Sequence, residues 1–243
     1  MEKMFNGKII LISPLPPPIG GITSWTEEYI TEMRKNGLSP VLVNTSIVGK
    51  RLYNNKKVNF IDEISRINKI RSQLKKNRTI REKCIFHYNA SCFTFGLIRD
   101  YILLYPYFKK KAVVYHCHCN LKTNVSNKVA QYFFGKICRK SKVVLTLNKN
   151  SMEFARRYTK KVELVPNFIS DTFVKKKVIN KELKNIVFVG RIAYQKGINE
   201  ILETAKSLND LIFHLIGPDD NKILEHCSLK NVKIYGAKSH DEV

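Results

Sequence analysis

Two stretches of this 243-residue chain predict an α/β protein made of two Rossmann-like halves. The first is the apolar run Lys8–Ser13, followed by a proline-rich loop, Gly20-Gly21 and a helical pattern from about Thr23. The second is Ile186–Val189, which runs into Gly190-Arg191-Ile192-Ala193-Tyr194-Gln195-Lys196-Gly197. After it Ile198, Ile201, Leu202, Ala205 and Leu208 share one helical face. Strand, glycine turn and helix make the repeating unit of a parallel sheet. Strands of such a sheet are covered on both faces and read as unbroken apolar runs.

The elements follow in order. The helix from Thr23 carries Ile22, Trp25, Tyr29, Ile30 and Met33 on a broad face and stops at Asn36-Gly37. Val41–Val43 is the second strand, and the polar, basic stretch 49–58 is a loop. Ile61, Ile64, Ile67, Ile70 and Leu74 mark an amphipathic helix whose other face shows Arg66, Lys69, Arg71, Lys75 and Lys76. Cys84–Tyr88 is a third strand, and Phe93–Leu104 an apolar helix that runs on to Tyr105-Pro106-Tyr107-Phe108 and Lys109-Lys110-Lys111. Ala112–Tyr115 leads into His116-Cys117-His118. Lys128–Lys140 is a helix with Val129, Tyr132, Phe133, Lys136 and Ile137 at helical spacing. Val143–Leu147 is a strand, Asn148–Tyr158 a short helix with Ser151 in its cap, and Val162–Val165 a strand closed by Pro166-Asn167. Residues 1–170 form the first domain. The stretch 171–182, with lysines at 175, 176, 177 and 181, reads as a linker, and 183–243 begin a second domain. In it Leu211–Ile216 is a strand ending at Gly217-Pro218, a short helix runs to Cys227, and Val232–Gly236 is a strand.

Composition sets bounds. A 44% hydrophobic content suits a folded globular chain with a sizeable core. No apolar run approaches the ~20 residues of a membrane span, and the start lacks the long apolar stretch of a signal peptide, which predicts a cytoplasmic protein. The six cysteines form no C-x-x-C and are expected as free, buried thiols. The net charge of +23 calls for an anionic partner: a phosphate-bearing substrate, an anionic membrane surface or nucleic acid. Between Lys50 and Lys83 twelve Lys and Arg stand against three acids. That stretch, and the aromatics beside Lys109–Lys111, would suit a membrane surface; a solvated helix face and a helix end packed on the core are the alternatives.

The chemistry concentrates at strand ends, where ligands of α/β sheets bind. Arg191 and Lys196, in a glycine turn before a helix N-terminus, suit a phosphate or diphosphate. The other reading is surface charge on a connecting loop. Gly20 and Gly21 let the first turn approach a ligand closely, or simply make a tight turn. On a strand His116 and His118 point to one side. Zinc would need further ligands at ordered spacing, and none follow; hydrogen-bonded core histidines or a substrate site are the other readings.

The proline-rich loop ending in Gly20-Gly21, the segment Val165-Pro166-Asn167 and Gly190-Arg191…Lys196-Gly197 resemble, in that order, the retaining glycosyltransferases of family 4, over nearly the whole chain. The resemblance implies the GT-B fold and transfer of a sugar from a nucleoside diphosphate donor to a glycan or lipid-linked acceptor in surface polysaccharide biosynthesis. It implies that Gly20, Gly21, Gly190, Arg191 and Lys196 hold the donor diphosphate. Arg191 and Lys196 then take the place of a metal, so neither metal nor cofactor is expected. It further implies that His118 first, and His116 second, hydrogen-bond the donor sugar or the acceptor, and that the protein is cytoplasmic or peripheral on the inner membrane face. The family's second domain carries an E-x7-E pair for the donor's ribose and sugar; no such pair stands in residues 183–243. Those 61 residues are fewer than the ~100–150 of a common domain, so a partial second domain is expected and, if nothing completes it, weak or absent transfer.

Three other readings compete. A nucleic-acid-binding protein is motivated by the charge but lacks a recognisable motif. A dinucleotide-dependent oxidoreductase would need G-x-G-x-x-G and an acid at the end of the second strand, where Asn44 stands. The last is a non-catalytic remnant that binds a partner subunit.

Overall fold

A computed structural model describes residues 7–17, 20–46, 60–77, 83–169, 182–219, 222–238 and 242. The basic loop 49–58, and all but the last residue of the linker expected at 171–182, lie outside the described residues. The chain divides into two compact units, Met1–Val174 and Lys175–Val243.

The first unit is a six-stranded parallel sheet with helices between its strands. Its strands are β1 (Lys8–Ser13), β2 (Val41–Asn44), β3 (Cys84–Ala90), β4 (Ala112–Cys117), β5 (Val143–Thr146) and β6 (Val162–Leu164), in the order β2-β1-β3-β4-β5-β6. The helices are α1 (Gly21–Lys35), α2 (Phe60–Lys76), α3 (Thr94–Leu104), α4 (Leu121–Asn124), α5 (Lys128–Lys140) and α6 (Lys149–Arg156). The order reverses direction after β2, so the C-terminal ends of β1 and β3 lie side by side at a switch point. Ile10, Ile12, Phe86, Tyr88, Val113 and Tyr115 are buried with Leu74, Leu97 and Ile137 in one core. The stop of α1 is as expected: Gly37 has φ +73, and Leu38 N–H donates to Met33 O at 2.8 Å.

A buried charge network ties this core together. Asp100 is fully buried. Its carboxylate accepts from Tyr88 Oη, from Tyr115 Oη at 2.8 Å, and from Arg99 Nε and Nη2 at 3.1 and 2.8 Å. Burial alone would lower the Arg99 pKa, but Asp100, Tyr88 and Glu63 together raise it above its ordinary value. Arg99 also meets Glu63 of α2 at 3.7 Å, and Glu63 meets Arg66 at 3.4 Å. Arg66 Nε donates to Thr45 O at 2.8 Å, just past β2.

Three sequence expectations change here, and one open alternative is resolved. Arg66 leaves the exposed basic face of α2, because its guanidinium satisfies a buried backbone carbonyl. Of the two readings of the aromatics before Lys109, the helix end packed on the core holds for Tyr107 and Phe108, while Tyr105 stays exposed. The buried face of α5 is Ala130, Phe134, Ile137 and Cys138, and the expected core residues Val129 and Tyr132 are exposed. Asn148, not Ser151, caps α6 by accepting from Ser151 N–H at 2.8 Å. Ser151 Oγ instead accepts from Leu121 N–H at 3.2 Å.

The second unit is a parallel sheet of β7 (Asn185–Val189), β8 (Ile212–Ile216) and β9 (Val232–Gly236), with α7 (Ile198–Ser207) between the first two. Ile192, Ile198, Leu215 and Leu224 form its core. The segment before Cys227 is a turn rather than a helix. There the Asp219 carboxylate accepts from the N–H groups of Ile223 and Leu224. The opposite face of the sheet is open among the described residues: Val187 and Val189 are 58% and 56% exposed. His214 lies on this face, where it accepts from Tyr235 Oη (2.7 Å) and donates to Asn185 Oδ1 (2.8 Å). All six cysteines are free thiols. Among the described residues no helix is long and apolar enough to cross a membrane.

Asp100→Ala leaves Arg99 buried without its closest counter-charge and two tyrosine hydroxyls without their acceptor. The expected loss is about 3–5 kcal/mol, read as the drop in urea unfolding free energy, against under 1 kcal/mol for truncating an exposed ion pair such as Lys35–Glu32.

Candidate functional site

In the first unit the polar groups gather at the C-terminal ends of β1, β3 and β4. Strand periodicity turns Tyr88 and Tyr115 to one side of the sheet and His87, Asn89 and His116 to the other. There they meet α1. A directed chain of hydrogen bonds runs through them. Thr26 Oγ1 donates to Ile22 O (2.6 Å), so Ser13 Oγ donates to Thr26 Oγ1 (2.6 Å). Asn89 Nδ2 donates to Ser13 Oγ (3.0 Å), and its Oδ1 accepts from His118 Nε2 (3.1 Å). The His118 proton therefore sits on Nε2, and the neutral ring keeps Nδ1 as an acceptor.

His87 Nε2 and His116 Nδ1 share a hydrogen bond at 3.3 Å, and the rings of His116 and His118 lie 4.0 Å apart. Trp25 lies across them, its ring 4.7 Å from His118, 5.1 Å from His116 and 5.7 Å from Phe168, and it stacks on Tyr29 at 4.5 Å. Trp25 Nε1 and His116 Nε2 are buried and have no hydrogen-bond partner among the described residues. Burial lowers the pKa of His87 and His118 to about 4, with His87 adding to the effect at His118. Burial, then His118 and His87, lower that of His116 to about 2. All three rings are neutral at pH 7. Among the described residues no three His, Cys, Asp or Glu side chains are arranged to hold a metal ion.

Gly20 and Gly21 stand at the N-terminus of α1 with open space where a Cβ would project. The Gly20 N–H is taken up by Thr23 Oγ1 at 2.8 Å. Leu15 N–H, in the preceding loop, donates to Ser46 Oγ at 2.9 Å and Asn44 Oδ1 at 3.2 Å, which latches that loop to the end of β2.

In the second unit the loop after β7 alternates inward and outward. Ile192 and Ile198 are buried, while Arg191 and Lys196 are exposed. Gly190 N–H donates to Ile216 O and Ile192 N–H to Pro218 O, both at 2.9 Å. Gly217 has φ +146, and a Cβ there would fall 1.9 Å from Gly190 O, so only glycine fits. Gly197, at φ +77, ends a 3-10 turn (Tyr194–Lys196) and opens α7. Arg191 and Lys196 thus stand on a loop whose backbone is pinned to the end of β8, beside a helix N-terminus.

No protein-family model and no curated protein matches this sequence. Solved structures do. Sucrose-phosphate synthase from Thermosynechococcus elongatus is 12% identical, with a TM-score of 0.74 over 98% of this chain and 72% of its own. TarM is 11% identical, with a TM-score of 0.61 over 99% of this chain and 78% of its own. An E. coli structure described as trehalose-6-phosphate bound with UDP-2-fluoro glucose is 11% identical, with a TM-score of 0.59 over 96% of this chain and 74% of its own. These neighbours have the GT-B fold. So does this chain. The fold names the strand ends as the place for ligands; it does not by itself assign them.

Sequence reasoning singled out His116, His118, Gly190, Arg191 and Lys196 but passed over Ser13, His87, Asn89 and Phe168. A signal was present: His87 and Asn89 are polar positions within an otherwise apolar strand.

The neutral histidines give stability a pH slope. The unfolded chain takes up protons near pH 6.5, and the folded rings resist to about 4 for His87 and about 2 for His116. In that window the unfolded state binds more protons, so stability is full above about pH 6.5 and is lost as pH falls, by up to about 1.4 kcal/mol per unit for each ring. Urea midpoints from about pH 7.5 down to about 5 should fall accordingly, and less steeply in His116→Leu.

Proposed function

We propose that the chain is a glycosyltransferase that moves a sugar from a nucleoside diphosphate donor to a glycan or lipid-linked acceptor. The observation that carries this reading is the loop 190–197. It holds two outward cations, Arg191 and Lys196, beside the N-terminus of α7, on a chain with the GT-B fold. A helix N-terminus and two cations suit an anion that gains charge. In this reading Arg191 and Lys196 neutralise the charge that builds on the leaving diphosphate as the sugar–oxygen bond breaks. Cations fixed on a pinned loop need little reorganisation at that moment. No metal is required for that step, and none is assigned.

In the first unit, His118 is the ring assigned to a sugar hydroxyl. Its Nε2–H is committed to Asn89, so Nδ1 accepts from the substrate. A ring with a pKa of about 4 is a weak base at neutral pH, which suits an orienting hydrogen bond rather than proton removal. His116 is buried and bonded to His87, and supports the ring pair. Gly20 and Gly21, in open space, leave room for a ligand to lie against the backbone. The reading assigns no side chain as nucleophile; retention of anomeric configuration and the surface-polysaccharide setting, both implied by the family resemblance, belong to the proposal.

Thermal unfolding of the full chain with UDP, UDP-glucose, GDP-mannose, NAD and poly(U) tests the reading. A nucleoside diphosphate at 100 times its dissociation constant should add about 2.7 kcal/mol of stability. Arg191→Ala with Lys196→Ala should abolish that gain while the free protein still unfolds in one cooperative transition. Stabilisation by NAD or poly(U) instead would overturn the reading. Gly20→Ala and Gly21→Ala should leave the fold intact, and a loss of sugar-nucleotide or acceptor binding in either would show that the ligand approaches this turn.

A further inference from the structure

We propose that the outer faces of α3 and α5 dock the protein onto an anionic lipid bilayer. The proposal stands apart from the sugar-transfer reading and needs no substrate for its test.

The two helices pack side by side on the sheet, joined by Tyr101 and Phe133, whose rings lie 5.7 Å apart. Their inner faces fill the core through Leu97 and Leu104 on α3 and Phe134 and Ile137 on α5. Their outer faces are apolar as well. On α3, Phe95 is 69% exposed, Ile102 39% and Tyr105 58%, and the three fall within an arc of about 80°. On α5, Val129 is 50% and Tyr132 57% exposed. A water-facing helix surface is ordinarily polar, and a contiguous set of large apolar side chains marks a surface that meets something else.

Cations frame this stripe. Lys136 Nζ lies 5.3 Å from the Tyr132 ring centre, and Lys140 Nζ lies 5.7 Å from that of Tyr105. Lys109, Lys110, Lys128 and Arg139 are exposed along the same two helices and their ends. From Ser91 to Lys142 the sequence has one acid, Asp100, and that carboxylate is wholly buried. The ridge therefore presents aromatic rings and lysines with no exposed carboxylate.

That combination selects the occupant. A second copy of this face would bring lysines against lysines. A polynucleotide would satisfy the cations but leave Ile102 and Val129 against a hydrated backbone. An anionic bilayer satisfies both: rings enter the boundary between headgroups and acyl chains, and lysines meet lipid phosphates while their stems lie on the apolar surface.

Flotation of the full chain with vesicles tests this. Binding is expected to vesicles containing one-third phosphatidylglycerol, at physiological salt, and not to pure phosphatidylcholine. Phe95→Ser, Tyr105→Ser and Tyr132→Ser together leave the charge unchanged and should lower the partition coefficient roughly tenfold or more. Lys160→Gln, Lys161→Gln and Lys233→Gln, which remove three charges outside the ridge, should keep most of the binding. Tyr105→Trp with Tyr132→Trp should bind at least as tightly as the parent, since tryptophan favours the same boundary; this separates loss of contact from loss of fold. Binding that follows net charge alone, that survives the serine changes, or that poly(U) displaces from the unchanged ridge would overturn the proposal.

Discussion

A carboxylate with no contact with water must be met by donors on every side, and Asp100 is met by four. Two come from Tyr88 and Tyr115, which are register partners on β3 and β4. Strand residues alternate sides with a period of two, so a slip of one residue would turn the two hydroxyls away from Asp100. The same slip would move His87, Asn89 and His116 off the face that meets α1. The charge behind the sheet thus sets the register that arranges the histidines in front of it. The network also reaches sideways through Arg99, Glu63 and Arg66 to Thr45, beside the latch that holds the first loop at Asn44 and Ser46. Ion pairs are weak sources of net stability, but a buried charge whose partners come from several elements is a strong source of specificity.

The second unit uses backbone rather than charge. Gly190, Gly217 and Gly236 close the ends of three adjacent strands, and Gly217 N–H donates to Gly236 O at 2.8 Å. A side chain at 217 would occupy the place of the Gly190 carbonyl. The strand ends converge closely enough to pin the loop that carries Arg191 and Lys196, so both cations stand on a fixed base.

Much of the fold was legible because it rests on local pattern. Apolar runs at Lys8–Ser13, Cys84–Tyr88 and Ile186–Val189 became strands, and Asn36-Gly37 ended a helix, since glycine at positive φ is a local requirement. What failed depended on partners distant in sequence. Helix α5 is apolar on more than half of its surface, so spacing allowed two phases, and only packing on the sheet chose Ala130, Phe134 and Cys138 over Val129 and Tyr132. Arg66 read as a surface charge because the Thr45 carbonyl that takes it is 21 residues away. The site was half legible. Glycines and cations announce themselves in a turn, and His116 and His118 stand out at a strand end, whereas Ser13, His87 and Asn89 acquire meaning only when β1, β3 and β4 lie in register. Asn89 and Ser13 stand 76 residues apart.

The chain holds a single tryptophan, and it is Trp25, enclosed by Tyr29, Phe168 and three imidazole rings. All indole fluorescence of the protein thus originates at this one cluster. An imidazolium quenches an excited indole more strongly than a neutral imidazole does, and an indole N–H shifts its emission when it gains an acceptor. The unmodified protein therefore carries its own optical probe, in which intensity follows the charge of the rings and wavelength follows whatever comes to rest beside them.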